Sequence, residues 1–151
     1  MKILILMAII GTAAGRAQDK AKPDPKKKIL DALQGKWALV LLHDEGRKSE
    51  VKREDGYHVS IKGNKWIRSD GEEIGVFEID ASATPATIDL RITGEGAEKG
   101  RTLEGIVEVA GDTMRWCFYL GRDKRRPTVF PQEPDPDILL YGYRRPKDSG
   151  K

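Results

Sequence analysis

The chain is poor in the residues that build metal centres and covalent cross-links. Its 151 residues include one cysteine, Cys117, and two histidines, His43 and His58. A single thiol excludes a disulfide framework and every zinc site built on paired cysteines, and two imidazoles leave no His-rich centre. An excess of one charge is missing as well. Lys and Arg number 27 against 24 Asp and Glu, a net of +3, which gives no electrostatic footprint for a polyanion, so nucleic acid is not an expected partner. No apolar run reaches the ~20 residues that a membrane-spanning helix needs. Catalytic motifs are also lacking: there is no GxSxG, no HExxH, no Walker-type glycine loop and no GxGxxG after a strand. His43, Asp44, Glu45 and His58 are the one set that could suggest a metal, but they fall at strand ends beside turns, where acids are usually just solvated. The reading is a non-enzymatic protein with no catalytic residue, no metal and no cofactor.

What apolar continuity there is lies at the start. Met1 and Lys2 precede an uncharged run over residues 3–14, broken only by Gly11 and Thr12, and the small residues Gly15 and Ala17 follow. This order reads as a secretory signal peptide over residues 1–17, cleaved after Ala17, with cleavage after Ala14 the close alternative. No cysteine follows either point to carry a lipid, so the expected product is exported, to the periplasm or outside the cell, without a stable membrane anchor. Removing residues 1–17 takes away Lys2 and Arg16 and no acid, and the net charge falls to +1. Residues 18–28 read as a polar linker, residues 29–146 as one domain, and residues 147–151 as a disordered tail. Cys117 reads as a half-buried strand residue. The basic clusters at Lys26 to Lys28 and at Arg122, Lys124, Arg125 and Arg126 read as solvated surface.

Beyond the linker the pattern is short apolar alternations separated by Gly, Asp and Asn turns every 8 to 12 residues, the mark of an all-β sandwich or barrel. One short helix is expected over residues 27–33, stopped by Gly35. Eight strands are expected, over residues 36–43, 57–62, 65–69, 72–80, 87–93, 102–110, 113–120 and 138–145. Gly111-Asp112 is a two-residue loop with glycine first, which suits a type II′ hairpin. It pairs Val109 with Met114, Val107 with Trp116, Gly105 with Phe118 and Leu103 with Leu120 on one apolar face. The other face sets Glu108 across from Arg115 and Ile106 across from Cys117. A one-residue slip would bury those charges. Gly63-Asn64 makes a second hairpin with Ile61 opposite Trp66, and Asp70-Gly71 a third joining Arg68 to Glu73. Sequential strands joined by short turns favour an up-and-down barrel, since closure removes exposed edges.

Several segments resemble a known family as a set. Leu33-Gln34-Gly35-Lys36-Trp37 is similar to the Gly-x-Trp entrance of lipocalins and other calycins. Pro85-Ala86-Thr87-Ile88-Asp89-Leu90, Lys99-Gly100-Arg101-Thr102-Leu103-Glu104-Gly105-Ile106, Gly111-Asp112-Thr113-Met114 with Cys117, and Arg126-Pro127-Thr128-Val129-Phe130 extend the match. Over about residues 29–145 the chain resembles a small, exported, lipocalin-like domain family abundant in planctomycete bacteria, departing from it at Val107, where an aromatic is usual, and in the Pro- and acid-rich stretch 131–137. The resemblance implies an eight-stranded barrel closed at one end by the short helix, with Gly35 and Trp37 as closing residues and an arginine of the last strand packing on the indole; alternation with inward Leu139, Tyr141 and Tyr143 favours Arg145, with Arg144 as the runner-up. It implies no activity.

Function is then expected to be binding. Tyr57, Val59, Ile61, Trp66, Phe77, Leu90, Ile92, Val107, Trp116, Phe118 and Tyr141 are the predicted inward set, with Gly75 and Gly105 as places where volume is missing. Such a lining suits a small apolar or aromatic ligand in the barrel of a monomer. The alternative is a fully packed barrel whose long loop over residues 122–137 contacts a protein of the cell envelope or acts as an inhibitor. A cavity of about 300 Å³ or more, open at one end, separates the first reading from the second, which needs a filled interior and an exposed patch around Phe130.

Overall fold

The computed structural model describes residues 21–52, 56–123 and 125–147; the expected leader and nearly all of the expected tail lie outside them. Helix α1 (Pro25–Leu33) is started by Asp24, whose carboxylate accepts from the Lys26 backbone N–H at 3.0 Å, and by Pro25 in the first turn, where a missing N–H costs nothing. It therefore begins two residues earlier than expected and takes in residues 25–28 of the expected linker. Leu33 is buried, with Ile29 and Leu30 packed against the barrel core. Gln34 ties the helix end to the 63–64 turn: its side chain accepts from Gly63 N at 2.7 Å and donates to Gly63 O at 2.9 Å.

Among the described residues nine strands follow: β1 (Gly35–Asp44), β2 (Arg47–Glu50), β3 (His58–Lys62), β4 (Lys65–Arg68), β5 (Glu73–Asp80), β6 (Ala86–Ile92), β7 (Thr102–Ala110), β8 (Thr113–Tyr119) and β9 (Ile138–Arg144). All but β2 form a closed antiparallel barrel in sequence order, sealed by the pairing of β1 with β9. The fold is thus the all-β, up-and-down, lipocalin-like barrel of eight strands that the sequence suggests. Strand β2 is additional. It folds back on β1 through Glu45-Gly46, both at positive φ as a type I′ turn demands. Its four residues, Arg-Lys-Ser-Glu, are all exposed, so it has no apolar alternation to announce it.

The β7–β8 register is the predicted one from Ala110 opposite Thr113 to Gly105 opposite Phe118, and Arg115 Nε donates to Glu108 Oε2 at 3.0 Å across the pair. Leu103 and Leu120 fall outside that ladder, because β8 stops at Tyr119 and Leu120 N donates instead to Asp137 O at 2.8 Å. In the Asp70-Gly71 hairpin a bulge after Trp66 shifts the register, so that Glu73 faces Ile67 rather than Arg68, whose N–H donates to Glu72 O. A second bulge, between Leu39 and Leu41, re-phases β1. Trp37 and Leu39 point into the barrel; past the bulge Leu42 pairs with inward Tyr141, which leaves Leu41 and His43 on the outside.

Inside, Trp116 is the hub of an aromatic cluster, with ring centroids 5.2 Å from Trp66, 5.3 Å from Phe77 and 6.1 Å from Phe118, while Tyr141 stacks on Tyr143 at 5.8 Å. Gly75 and Gly105 leave no missing volume. A Cβ on Gly75 would lie 2.5 Å from Arg91 O, and one on Gly105 2.2 Å from Cys117 O and 2.6 Å from the Phe118 ring. The Tyr143 hydroxyl is buried with no hydrogen-bond partner among the described residues, and burial holds it neutral by pushing its pKa far up. A buried, unpaired polar group costs about 1–3 kcal/mol. Tyr143→Phe is therefore expected to leave stability unchanged or raise it by up to about 2 kcal/mol in urea denaturation; a clear loss would show that the hydroxyl makes a bond the fold needs.

The outside of the barrel carries a small core of its own. Residues 121–123 and 125–137 belong to a strap that crosses the outer faces of β6 to β9. Arg126, expected as solvated surface, donates to Gly105 O at 2.9 Å, Ile88 O at 3.1 Å and Asp89 Oδ1 at 2.7 Å. Phe130 packs on Ile106, Cys117 and Leu140, under the Arg115 guanidinium at 4.1 Å. Cys117 is accordingly outward by alternation yet fully buried rather than half-buried, because a segment distant in sequence covers it.

Candidate functional site

The two ends of the barrel differ. At one end α1 and the start of β1 form a plug. Arg145 lies over the Trp37 ring, 3.8 Å from its centroid, and donates to Gln34 O at 2.6 Å and Ala32 O at 2.8 Å. These carbonyls sit at the helix C-terminus, where intrahelical donors run out. The Trp37 indole N–H donates to Leu33 O at 2.7 Å. Gly35 is favoured by its φ of +101°, and its missing Cβ leaves room for Arg145 Nη1, which would lie 2.9 Å from one. Gly35, Trp37 and Arg145 are thus one assembly at one place, a fold lock with no reacting group.

The other end is cupped. A cleft of about 410 Å³ opens there, lined by four of the predicted inward residues, Tyr57, Trp66, Ile92 and Tyr141, and by Ile74, Leu103, Leu120 and Leu139, which were outside the predicted lining. The remaining seven of that set, Val59, Ile61, Phe77, Leu90, Val107, Trp116 and Phe118, are all buried and form the packed floor and core beneath it. Tyr57 precedes β3 and is 41% exposed at the mouth rather than inside a strand. The residues missed carried a legible signal, because alternation carried to the strand ends places Leu103 and Leu139 on the inner face with the rest.

The charges at the rim are occupied. Arg68 Nε donates to Asp70 Oδ2 at 2.8 Å and the same guanidinium pairs with Glu72, while Arg101 pairs with Glu98 at 2.7 Å and donates to Leu120 O at 2.8 Å. An apolar cup with self-neutralised rim cations suits an uncharged guest, since a ligand carboxylate would have to displace an existing partner. Tyr141 is held neutral, its pKa raised mainly by burial.

Neither Cys117 nor His58 is set up as a reactive group. Burial pushes the Cys117 thiol up to about 12, whereas a reactive cysteine needs a stabilised thiolate. His58 is spent on a local turn, its Nδ1 2.8 Å from Gly56 O. Among the described residues no three His, Cys, Asp or Glu side chains converge as a metal site would require, and no helix is long and apolar enough to cross a membrane.

Fold and cleft together define a class: a lipocalin-like barrel, plugged at one end and cupped at the other. Comparison with family models, with curated proteins and with solved structures gives no match to this chain.

Proposed function

We propose that the protein is a non-enzymatic, exported, lipocalin-like binding protein, of the small planctomycete type its motifs resemble, and that it holds a small apolar or aromatic molecule in the open cup. The observation that carries this is the cleft of about 410 Å³, inside the range of small-molecule sites and lined by aromatic and aliphatic side chains. The packed floor keeps the guest shallow and small. Export rests on the leader-like order of residues 1–17. The alternative, an envelope-protein contact through the 122–137 loop, draws less support, because Phe130 is half-buried against the barrel and Arg126 is engaged with it.

Native mass spectrometry of the protein purified from its own host tests the reading directly: a retained small mass is expected, and a clean apo mass with a co-purified polypeptide would favour the alternative. A neutral fluorescent naphthylamine gives the residue-level test. Ile74→Arg places an unpaired cation in the cleft wall beside Arg68 and Arg101 and should weaken probe binding at least about tenfold, or 1.4 kcal/mol. Equal affinity in both proteins would remove the cup as the binding site.

A further inference from the structure

The bulge in β1 does more than close the barrel. By placing His43 outside, it sets up a row of side chains across four strands, His43 beside Leu140, Leu140 beside Cys117, and Cys117 beside Ile106. Phe130 of the strap packs on Leu140, Cys117 and Ile106, and strap residues 128–132 face His43 across a shared cleft. His43 is 2% exposed, and neither Nδ1 nor Nε2 has a hydrogen-bond partner among the described residues. It borders a cleft of about 390 Å³ between strap and sheet that is also lined by Lys48, Arg115, Phe130 and Gln132.

The charges around the imidazole are unfavourable to a second cation. Lys48 of β2 stands directly opposite His43 in the strand register and is only loosely engaged by Glu50, at 3.9 Å. Arg115 of β8 lines the same cleft and is paired with Glu108 of β7. Strand β9 contributes the apolar Leu140, and the next residue of β1, Asp44, alternates to the opposite face. Among the described residues, Glu133 of the strap is the one acid that acts on His43 in the opposite sense. A protonated His43 would be a buried cation with two N–H donors and no acceptor among the described residues, a state that buried sites avoid by opening or by staying neutral. Consistently, burial and then Lys48 lower its pKa from the ordinary 6.5. With the folded value below the unfolded one, stability from this group is complete above about pH 6.5 and is lost as pH falls through 6.5 towards the folded value.

The strap is the element that can yield. Arg126 pins one end and the Leu120 to Asp137 hydrogen bond the other. Between them, among the described residues, no backbone hydrogen bond joins residues 127–134 to the sheet. The barrel underneath keeps its own core and ladders without it. We propose that His43 is an acid-operated latch: neutral, it lets the strap close on the outer face of the barrel, and protonated, it lifts the strap and uncovers Cys117 with the apolar residues around it.

Cys117 is the only cysteine and is fully buried under the strap, so it reports the latch directly. Its modification by 4,4′-dithiodipyridine, which reacts with thiols in acid, would be timed at pH 7.5 and pH 5.0, each rate divided into that of the urea-unfolded chain at the same pH. The expected result is a fall in protection of tenfold or more at pH 5.0, with the near-ultraviolet dichroism of the buried tryptophans retained, and a change under twofold in His43→Leu. His43→Gln provides the same neutral comparison if the leucine variant does not fold. Hydrogen exchange of residues 127–134 in the unaltered protein gives a variant-free measure, in which exchange should rise in acid, after correction for intrinsic rates, while β7 and β8 stay protected. Unchanged protection in acid, loss of protection together with the tryptophan signal, or equal loss in the His43 variants would each overturn the proposal.

Discussion

Replacing Trp37 with alanine should cost about 3–5 kcal/mol and lower the thermal midpoint by on the order of 10–20 °C for a domain of this size. Three losses coincide at that position. A fully buried indole leaves a void beside Leu33 in the sealed end of the barrel. The Leu33 carbonyl loses its 2.7 Å donor at a helix terminus that has no spare ones. The Arg145 guanidinium loses the ring it covers and keeps only the carbonyls of Ala32, Gln34 and, at 3.4 Å, Lys36. Arg145→Ala should cost less, because the indole stays packed when the cation over it is gone; a cation-π contact of this kind contributes about 0.5–2 kcal/mol. Differential scanning calorimetry of both variants decides the matter, and unchanged midpoints would show that the plug is not what holds this end shut.

Gly105→Ala is expected to be as severe although it adds only one methyl group. The new Cβ would sit 2.2 Å from the Cys117 carbonyl oxygen and 2.6 Å from Phe118. The first of these is backbone of the paired strand and cannot swing aside. Relief requires β7 and β8 to part at the pair Gly105 and Phe118, in the middle of the barrel wall and next to Gly105 O, which also accepts from Arg126. Overpacking in a well-filled core costs about 1–3 kcal/mol and occasionally more, and a backbone obstruction places this variant at or above the top of that range. Gly63→Ala, whose Cβ would meet nothing within 4 Å, separates clash from simple loss of glycine, although its positive φ carries a smaller strain. A Gly105→Ala protein that matches the parent in urea denaturation would mean that the two strands part without cost.

How much of this is legible in the sequence depends on distance along the chain. The β7–β8 hairpin can be read down to single pairs, because a two-residue loop fixes the register and both strands alternate cleanly. The closing residues Gly35, Trp37 and Arg145 come from family resemblance, and their contact rests on a helix end, a strand start and the last strand meeting. Three features leave no local trace. The bulge near Val40 lies in a run, Ala-Leu-Val-Leu-Leu, that is apolar on both faces, so no change of phase shows. Strand β2 has no apolar residue to place. The burial of Cys117 depends on a strap whose polar, proline-rich sequence reads as an exposed loop, whereas Phe130 and Arg126 fasten it down, and that of His43 on the bulge that turns it outward beside the same strap. The apolar and aromatic character of the cup is legible in the strand alternation, but its depth depends on how fully Trp116, Phe77 and Phe118 fill the lower barrel, which is a matter of packing rather than pattern.

The seam between β1 and β9 also bears on how the molecule comes into being. Every other join in the barrel wall is between strands that follow one another along the chain, with only β2 set between β1 and β3, but this one links Ala38 to Arg144, and its lock spans 111 positions from Gln34 to Arg145. Local hairpins can form on the microsecond scale, whereas a join of that span waits on the slow search that sets the rate of β-rich domains. Until the last strand arrives, β1 and β8 each present a bare edge ready to pair with another chain. The final strand is therefore a timing element as much as a wall: a nascent chain that ends before Ile138 is an open sheet with two adhesive borders, and only completion of the C-terminus pairs those two borders with β9 and closes the barrel wall.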